Sequence, residues 1–228
     1  MGRLQEIFSN IERAGTFADV GCDHGFISEM VIKNGLANKV VITDISAPSL
    51  KKAEKLLENE IKKGRVKSYC TDGLKSVKED IDECLIAGMG GKEIISILEN
   101  AVKKPERLIL QPMKNVDAVR VFLVENGYKI LKDYVFFDKK FYDLIAAVKG
   151  EDSLTANEIE FGRTNLSEKG EAFRKRIKIK MSKITERLKN PELSTENYFK
   201  FLGELLRLKG RIFREPPVMN LIPLKYLL

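Results

Sequence analysis

The chain has 228 residues and a mass of 25.9 kDa, which allows one full domain and a smaller appendage. Hydrophobic residues make up 43% and charged residues 32%, as in soluble globular proteins, and no apolar run is long enough to span a bilayer. The net charge is +7, and residues 169–189 hold nine basic and two acidic side chains. This basic segment either binds a polyanion such as nucleic acid or is the solvated face of a helix.

The cysteines and the N-terminal residues indicate the cellular compartment. Cys22, Cys70 and Cys84 are widely spaced and lack the spacing of metal ligands, so we expect three reduced thiols and no bound metal. Residues 1–12 lack the apolar core of a signal peptide. We therefore expect a cytoplasmic protein without a membrane partner, and a monomer.

Strand and helix patterns alternate through the first 150 residues. The predicted strands are 16–20, 39–43, 65–70, 84–87, 107–110, 129–138 and 141–149. The predicted helices are 2–14, 24–34, a long helix from Ser46 to Gly64, 92–102 and 115–126. Such alternation predicts an α/β fold with a mostly parallel sheet, and the last two strands form an antiparallel hairpin. This arrangement resembles the seven-stranded architecture of Rossmann-like methyltransferases.

After Gly150 the pattern becomes helical. A linker is predicted near 151–166, and two apolar stripes at helical spacing follow, separated by Asn190 and Pro191. The stripes are Phe173, Ile177, Met181, Ile184 and Leu188, then Tyr198, Phe201, Leu202, Leu205, Leu208 and Ile212. They predict a coiled-coil-like helical hairpin, so that 1–150 form one domain and 151–228 an appended element. The apolar tail 215–228 either packs on the domain or is disordered.

A glycine turn follows the first strand, with the sequence DVGCDHG at 19–25. An acid, Asp44, ends the second strand about 20 residues later, where it can accept hydrogen bonds from a ribose. The turn is not G-x-G-x-x-G, and the Asp23 carboxylate would repel the pyrophosphate of a dinucleotide. S-adenosylmethionine (SAM) instead carries a cationic sulfonium and ammonium. The charge therefore favours SAM over NAD, although a tight turn whose Asp caps the next helix would look similar.

The other strand ends supply further candidate contacts. Asp19 can hold the SAM ammonium, Asp72 can accept from the adenine amino group, and Met89, between glycines, can lie against the adenine ring. A turn-forming Asp-Gly pair and ordinary core packing of Met89 are the alternatives. The predicted cofactor contacts are Asp19, Gly21, Asp23, His24, Gly25, Asp44, Ile45, Asp72, Gly73, Gly88 and Met89.

The motifs DVGCDHG, TDG, IAGMGG and LILQP, in this order, resemble the bacterial tRNA (adenine-N1) methyltransferases that act at position 22 of tRNA. The resemblance covers residues 3–150, and extends to Glu160-Phe161-Gly162 and the helical hairpin. It implies a Rossmann-like SAM domain with a coiled-coil appendage, and 1-methyladenosine in tRNA as the product. The sequence departs from the family at Cys22, Gly25 and Met113, which stand where Ser or a small residue, Ala and Asn are usual.

For that reaction we expect the enzyme mainly to position adenine N1 against the sulfonium methyl group. Asp23 is the candidate carboxylate beside the adenine amino group, His24 is the alternative base, and Gln111 is the third catalytic candidate. The target base must be extruded from the folded tRNA. The predicted tRNA contacts are Arg174, Lys175, Arg176, Lys178, Lys183 and Arg187. A methyltransferase of a small molecule or protein, and an inactive tRNA-binding protein, are the competing interpretations.

Overall fold

The structure is a computed structural model that describes residues 2–210. Its contacts divide the chain into two compact units, Met1–Thr164 and Asn165–Leu228. The predicted tail 215–228 and Ile212 of the second stripe lie outside the described residues. Within residues 2–210, no helix combines the length and the apolar character needed to cross a membrane.

The first unit is built on one seven-stranded sheet. Its strands are β1 Ala14–Val20, β2 Ala37–Asp44, β3 Val66–Cys70, β4 Glu83–Ala87, β5 Arg107–Gln111, β6 Tyr128–Asp138 and β7 Lys140–Lys149. Its helices are α1 Arg3–Phe8, α2 Phe26–Lys33, α3 Ala47–Leu56, α4 Glu58–Lys62, α5 Gly91–Glu99, α6 Val116–Glu125 and α7 Ala156–Phe161. The strand order is β3-β2-β1-β4-β5-β7-β6, and only the pairs made by β7 are antiparallel. The predicted fold class is confirmed.

The sheet is buried on both faces, as near-continuous apolar strands require. In β1, Phe17 packs into one hydrophobic cluster, while Ala18 and Val20 pack into the cluster on the opposite face. Because β1 to β5 are parallel, their carboxyl ends meet at one edge of the sheet. The segments that follow these strands therefore come together in space.

Two predicted helices are too long. The predicted helix 2–14 ends at Phe8, because the Ser9 hydroxyl and the Asn10 side-chain amide both donate to the Glu6 carbonyl, each at 2.8 Å. Such side-chain bonds compete with further helical hydrogen bonds. The predicted helix from Ser46 to Gly64 is broken at Leu57, where the Glu60 amide donates to the Leu57 carbonyl three residues back and tightens the turn.

The segment predicted as a linker is folded onto the sheet. The Arg120 guanidinium donates to the Asp133 carboxylate at 2.8 Å and to the Ile159 carbonyl at 3.0 Å, and both charged side chains are buried. A Cβ on Gly162 would lie 2.6 Å from Asp133 Oδ2, so only glycine fits beside this ion pair. These contacts explain why the boundary between the units falls after Thr164 rather than at residue 150.

The second unit contains a helical hairpin. Helix α8 (Arg163–Glu168) crosses the boundary, and α9 (Glu171–Leu188) and α10 (Thr195–Leu208) follow. The stripe residues Phe173 and Ile177 of α9 and Leu205 of α10 are buried, and Lys180 of α9 pairs with Glu204 of α10 at 2.8 Å. The two predicted helices are present; coiled-coil packing between them stays a prediction.

Candidate functional site

Two cavities open at the carboxyl edge of the sheet, and they share Gly21, Ala87 and Gly88. The Asp44 cavity, of about 430 Å³, lies beyond β1 to β4. The Arg3 cavity, of about 810 Å³, lies between α1, the turn after β1 and the end of β4. Together they form an elongated site with two compartments, one on each side of the Gly21 and Gly88 backbone.

The turn after β1 and the end of β2 are bonded to each other. The amides of Gly21 and Cys22 donate to the Thr43 carbonyl at 2.8 and 3.0 Å. The Asp44 carboxylate accepts from the Asp23 amide at 3.1 Å and from the Ser46 amide at 2.8 Å. Asp44 is thus fixed at the edge of its cavity and is half-buried, so that part of the carboxylate stays accessible to a ligand.

The remaining surface of the Asp44 cavity combines apolar and acidic groups. The Ile45 side chain lines it and is 75% exposed, so that it offers apolar surface to a ligand. Asp72 is exposed and pairs with Lys75 at 2.5 Å, while Met89 reaches across to Gly21. Gly21 has a φ of +69°, a left-handed backbone conformation that strains any residue with a Cβ, and a Cβ there would also meet the end of the Met89 side chain. Glycine is therefore required at this narrow point between the compartments.

Asp23 and His24 lie together in the Arg3 cavity. His24 Nδ1 is 2.7 Å from Asp23 Oδ2, and the side chains are 42% and 65% exposed. The His24 ring stacks on Phe26, with centroids 5.5 Å apart and planes inclined by 5°. Phe26 itself is half-exposed and lines the cavity. This corner presents a carboxylate beside a flat aromatic surface, a suitable arrangement for a planar ligand with amino groups.

Asp19 is the deeply buried acid of the Arg3 cavity. Its side chain accepts a hydrogen bond from the Ser28 hydroxyl at 2.7 Å. Burial raises the pKa of the Asp19 carboxyl to about 6, although the Ser28 hydrogen bonds oppose this shift. Burial, with the nearby carboxylates of Asp19 and Asp44, also raises the pKa of the Cys22 thiol. Cys22 is therefore a neutral thiol near pH 7 rather than a nucleophile.

Arg3 is the site residue that the sequence analysis missed. Its backbone amide donates to Asp138 Oδ2 at 2.7 Å, and its Nε donates to Gln111 Oε1 at 2.8 Å. The guanidinium also lies 5.4 Å from the centroid of the Tyr142 ring. One sequence signal was present: Arg3 begins a helix, where the dipole disfavours a positive charge. An unfavourable interaction between a charge and its own helix dipole often occurs at functional positions.

Comparison with known proteins identifies the family. Residues 1–145 match the family described as "Methyltransferase domain". The chain belongs to this methyltransferase family. A Mycoplasma pneumoniae protein named "Putative tRNA methyltransferase" is 30% identical over 137 residues, which are 60% of this chain and 64% of that protein. The match thus spans slightly less than two thirds of the length of this curated relative.

Solved methyltransferase structures are similar over nearly the whole chain. The structure of TrmK from M. capricolum with S-adenosylhomocysteine has a TM-score of 0.81 and 25% identity, covering 92% of this chain and 96% of that one. The B. subtilis m1A22 tRNA methyltransferase TrmK has a TM-score of 0.76 and 23% identity, covering 92% and 97%. These similarities confirm the resemblance that the sequence motifs indicated.

The two cavities of this methyltransferase contain most of the predicted contacts. Asp19, Asp23 and His24 line the Arg3 cavity, and Asp44, Ile45, Asp72, Gly73 and Met89 line the Asp44 cavity. Gly21 and Gly88 line both. Gly25 lies elsewhere: it is buried, and a Cβ there would be 2.9 Å from Ala53 Cβ, so its role is to pack α2 against α3.

Gln111, predicted as a catalytic candidate, does not line either cavity. Its side chain is fully buried; the amide oxygen accepts from Arg3, and the amide nitrogen lies 3.2 Å from Met113 Sδ. Gln111 is therefore connected to the Arg3 cavity only indirectly, through its hydrogen bond with the Arg3 side chain. Met113, at the family's usual Asn position, fills space beside this amide.

The six predicted tRNA-binding residues lie on α9, on two flanks of its buried stripe. Arg174 and Lys178, four residues apart, form one flank with Lys175; Lys183 and Arg187 lie on the other with Arg176. A cavity of about 650 Å³ on the first flank is lined by four basic residues, one acid and one apolar residue: Lys169, Arg174, Lys175, Lys178, Glu171 and Ile179. On the second flank, the Arg187 guanidinium lies 5.4 Å from the centroid of the Phe201 ring. Basic side chains therefore lie on both flanks, and those of the first flank surround a cavity.

Proposed function

We propose that this protein is a SAM-dependent tRNA methyltransferase that forms 1-methyladenosine at position 22 of tRNA. The observation that carries the proposal is the two-compartment site, with Asp44 fixed beside one compartment and the Asp23–His24–Phe26 corner in the other. The similarity to TrmK structures, one described with S-adenosylhomocysteine and another as an m1A22 tRNA methyltransferase, supports the cofactor and the substrate.

The residues of the Asp44 cavity fit the adenosine half of SAM. Asp44 offers carboxylate oxygens to the ribose hydroxyls, and the exposed Ile45 with Met89 offers apolar surface to the adenine ring. Asp72 is the acceptor for the adenine amino group, in competition with Lys75. In the neighbouring compartment the carboxylates of Asp19 and Asp23 complement the cationic groups of the cofactor.

When bound, SAM supplies an electrophilic methyl group. The protein then has to hold adenine N1 in line with that group and exclude water from the contact. The stacked rings of His24 and Phe26 give the extruded base a flat support, and Asp23 can accept a hydrogen bond from its amino group. Methylation leaves the base positively charged, so the Asp23 carboxylate also stabilises the charge that develops.

We further propose that α9 holds the tRNA body through its basic side chains. Arg174, Lys175 and Lys178 surround one cavity and form the main contact, while Lys183 and Arg187 contribute from the opposite flank. Phosphate contacts of this kind give an affinity that falls steeply with salt concentration. The remaining assignments of the sequence analysis, a monomeric state and a cytoplasmic location, are proposed with the function.

A direct test uses purified protein, methyl-labelled SAM and tRNA transcripts that carry adenosine or guanosine at position 22. Label is expected in 1-methyladenosine of the first transcript alone, and reverse transcription should stop at that position because the methyl group blocks base pairing. Transfer to both transcripts, or to protein or small molecules instead, would refute the proposed substrate. SAM binding without transfer to any tRNA would identify a different acceptor, and absence of SAM binding would favour the inactive tRNA-binding protein.

A further inference from the structure

The hairpin formed by β6 and β7 projects beyond the carboxyl edge of the sheet. The pairing of β7 with β5 ends at Ile145, whereas its pairing with β6 continues to Lys140, opposite Asp138. Residues 140–144 therefore belong to a two-stranded ribbon, which extends roughly 15 Å past β5 at the usual rise per residue. Asp138 lines the Arg3 cavity, so the hairpin tip, residues 137–141, lies at the rim of that compartment.

The exposed charge of the hairpin tip is positive. Lys139 and Lys140 are exposed, while the acid of the turn, Asp138, is half-buried and accepts a hydrogen bond from a backbone amide. In the part of the chain that the structure describes, neither lysine pairs with a carboxylate, and Lys140 Nζ lies 5.2 Å from the centroid of the Tyr142 ring. Other lysines of the first unit do form ion pairs: Lys33, Lys62, Lys63, Lys67, Lys75, Lys103 and Lys149. The tip thus keeps two cations available to an external anion.

The same tip presents aromatic surface. Phe137 and Phe141 pair across the ribbon, with ring centroids 5.0 Å apart and planes inclined by 64°. Phe137 is 44% exposed and Phe141 is half-buried, whereas the neighbouring cross-strand pair, Phe136 and Tyr142, packs against a hydrophobic cluster of the core. Exposed aromatic rings flanked by cations are the arrangement that binds unpaired nucleotides, since the rings stack on bases and the cations bind phosphates.

Lys139 adopts a backbone conformation that does not suit lysine. Its φ is +61°, in the left-handed region where a Cβ is unfavourable and where glycine would fit without strain. The turn therefore has a lysine at a position for which local backbone preference favours glycine or asparagine. Strained positions of this kind cluster at functional sites, which indicates that the lysine side chain itself is needed here.

Resting on the proposed function, we propose that the hairpin tip binds the tRNA strand beside the target nucleotide. Extrusion of the target adenosine leaves the neighbouring base without a stacking partner, and Phe137 and Phe141 provide the replacement surface. Lys139 and Lys140 bind the phosphates next to that base. This contact belongs to the first unit and is additional to the one proposed for α9.

The test measures binding of full-length protein to the tRNA transcript with adenosine at position 22, by fluorescence anisotropy over a range of salt concentrations. Phe137→Ala should weaken binding roughly 5- to 150-fold without changing the salt dependence, because it removes stacking alone. The double variant Lys139→Gly and Lys140→Ala should also weaken binding. It should reduce the slope of log Kd against log salt concentration by about 1.4, the value for two phosphates of an unpaired strand.

Folding is controlled within the same set of variants. Lys139→Gly alone should unfold at the same or a higher temperature than wild-type protein, because glycine suits the positive φ, so its weaker tRNA binding cannot result from unfolding. Lys129→Ala and Leu131→Ala are matched controls, since both residues are exposed on β6 away from the tip. The controls should leave tRNA affinity and its salt dependence unchanged.

Two results would overturn the proposal. If the tip variants bind tRNA as the controls do, the tip serves a protein partner or a second copy of this chain instead. If Phe137→Ala loses SAM affinity in calorimetry to the same extent as tRNA affinity, the tip acts through the cavity and not on the tRNA. Wild-type protein that neither binds nor methylates the transcript would refute the proposed function, whereas normal methylation by both wild-type protein and the tip variants would refute this inference alone.

Discussion

Replacing Asp19 with asparagine tests the electrostatics of the Arg3 cavity. In the folded protein the pKa of this buried carboxyl is about 6, whereas its ordinary value is 3.8. Between pH 3.8 and about pH 6, the folded state therefore binds more protons at this carboxyl than the unfolded state does. The contribution of Asp19 to stability is therefore most favourable below about pH 4, declines as pH rises to about 6, and remains unfavourable above that.

The expected change in the free energy of unfolding follows from the shift in the Asp19 pKa. Two pKa units correspond to about 3 kcal/mol between the protonation states, which is the cost of burying the ionised carboxylate. Asparagine has nearly the same shape, and its amide oxygen can still accept the Ser28 hydroxyl. We expect Asp19→Asn to stabilise the ligand-free protein by about 2–3 kcal/mol at pH 7.5 and by only about 1 kcal/mol at pH 4.5, because the unfolded state is already mostly ionised at the lower pH.

Urea unfolding of both proteins between pH 4.5 and 7.5 measures this difference. Subtracting the two free energies of unfolding cancels the titration of other groups, such as buried Glu83, whose pKa is also raised. Asp80→Asn is a suitable control, because Asp80 is exposed and pairs with Lys103 at the surface. A difference for Asp19→Asn that is the same at every pH would refute the reasoning.

The same carboxylate should affect ligand binding in the opposite direction. An ionised Asp19 attracts the cofactor ammonium, so wild-type affinity for SAM should increase as pH rises from 5 to 7.5. In Asp19→Asn the affinity should be weaker at pH 7.5 and nearly independent of pH in this range. A stabilising substitution that weakens ligand binding is the pattern expected of a functional site.

Three other changes are informative. Asp44→Ala should weaken SAM binding by roughly 1–3 kcal/mol in calorimetry, through lost charged hydrogen bonds, and unchanged affinity would contradict the ribose assignment. Replacing Arg174 and Lys178 with Glu should raise the KM for tRNA roughly tenfold or more and leave SAM affinity intact. An equally large rise when Lys183 and Arg187 on the opposite flank are replaced with Glu would contradict the main contact at the first flank. Arg120→Met should destabilise the protein by roughly 3–5 kcal/mol in urea unfolding, since it leaves the Asp133 carboxylate buried without its partner.

The sequence predicted the sheet, and it predicted that the candidate cofactor contacts lie together at one edge, because these signals are local. Each strand is an apolar run, and the acids and glycines follow directly after the strands. Parallel pairing then brings Asp44 and Asp72 to one edge, so their proximity required no further information. Helix ends were less predictable: Ser9 and Asn10 end α1 through side-chain bonds that the hydrophobic pattern does not reveal.

Long-range contacts account for the other differences. The segment 151–164 has a polar, linker-like sequence, and its attachment depends on partners far along the chain: Arg120 of α6 donates to the Ile159 carbonyl, and the Ile130 amide of β6 donates to the Asp152 carboxylate. Gln111 was expected in the pocket because it follows a strand, but its side chain turns towards Arg3, 108 residues away in sequence. No periodicity links two such positions, so the hydrophobic pattern does not predict the contact between Gln111 and Arg3.

The proposed adenosine contacts lie at the ends of consecutive strands, so they can be read directly along the sequence. Arg3, in contrast, reaches this edge of the sheet because the N-terminal helix packs near β5 and the β6–β7 turn, where Gln111 accepts from its side chain and Asp138 from its backbone amide. The position of Arg3 at a helix start, which the helix dipole disfavours, is the one local sequence signal of this long-range packing.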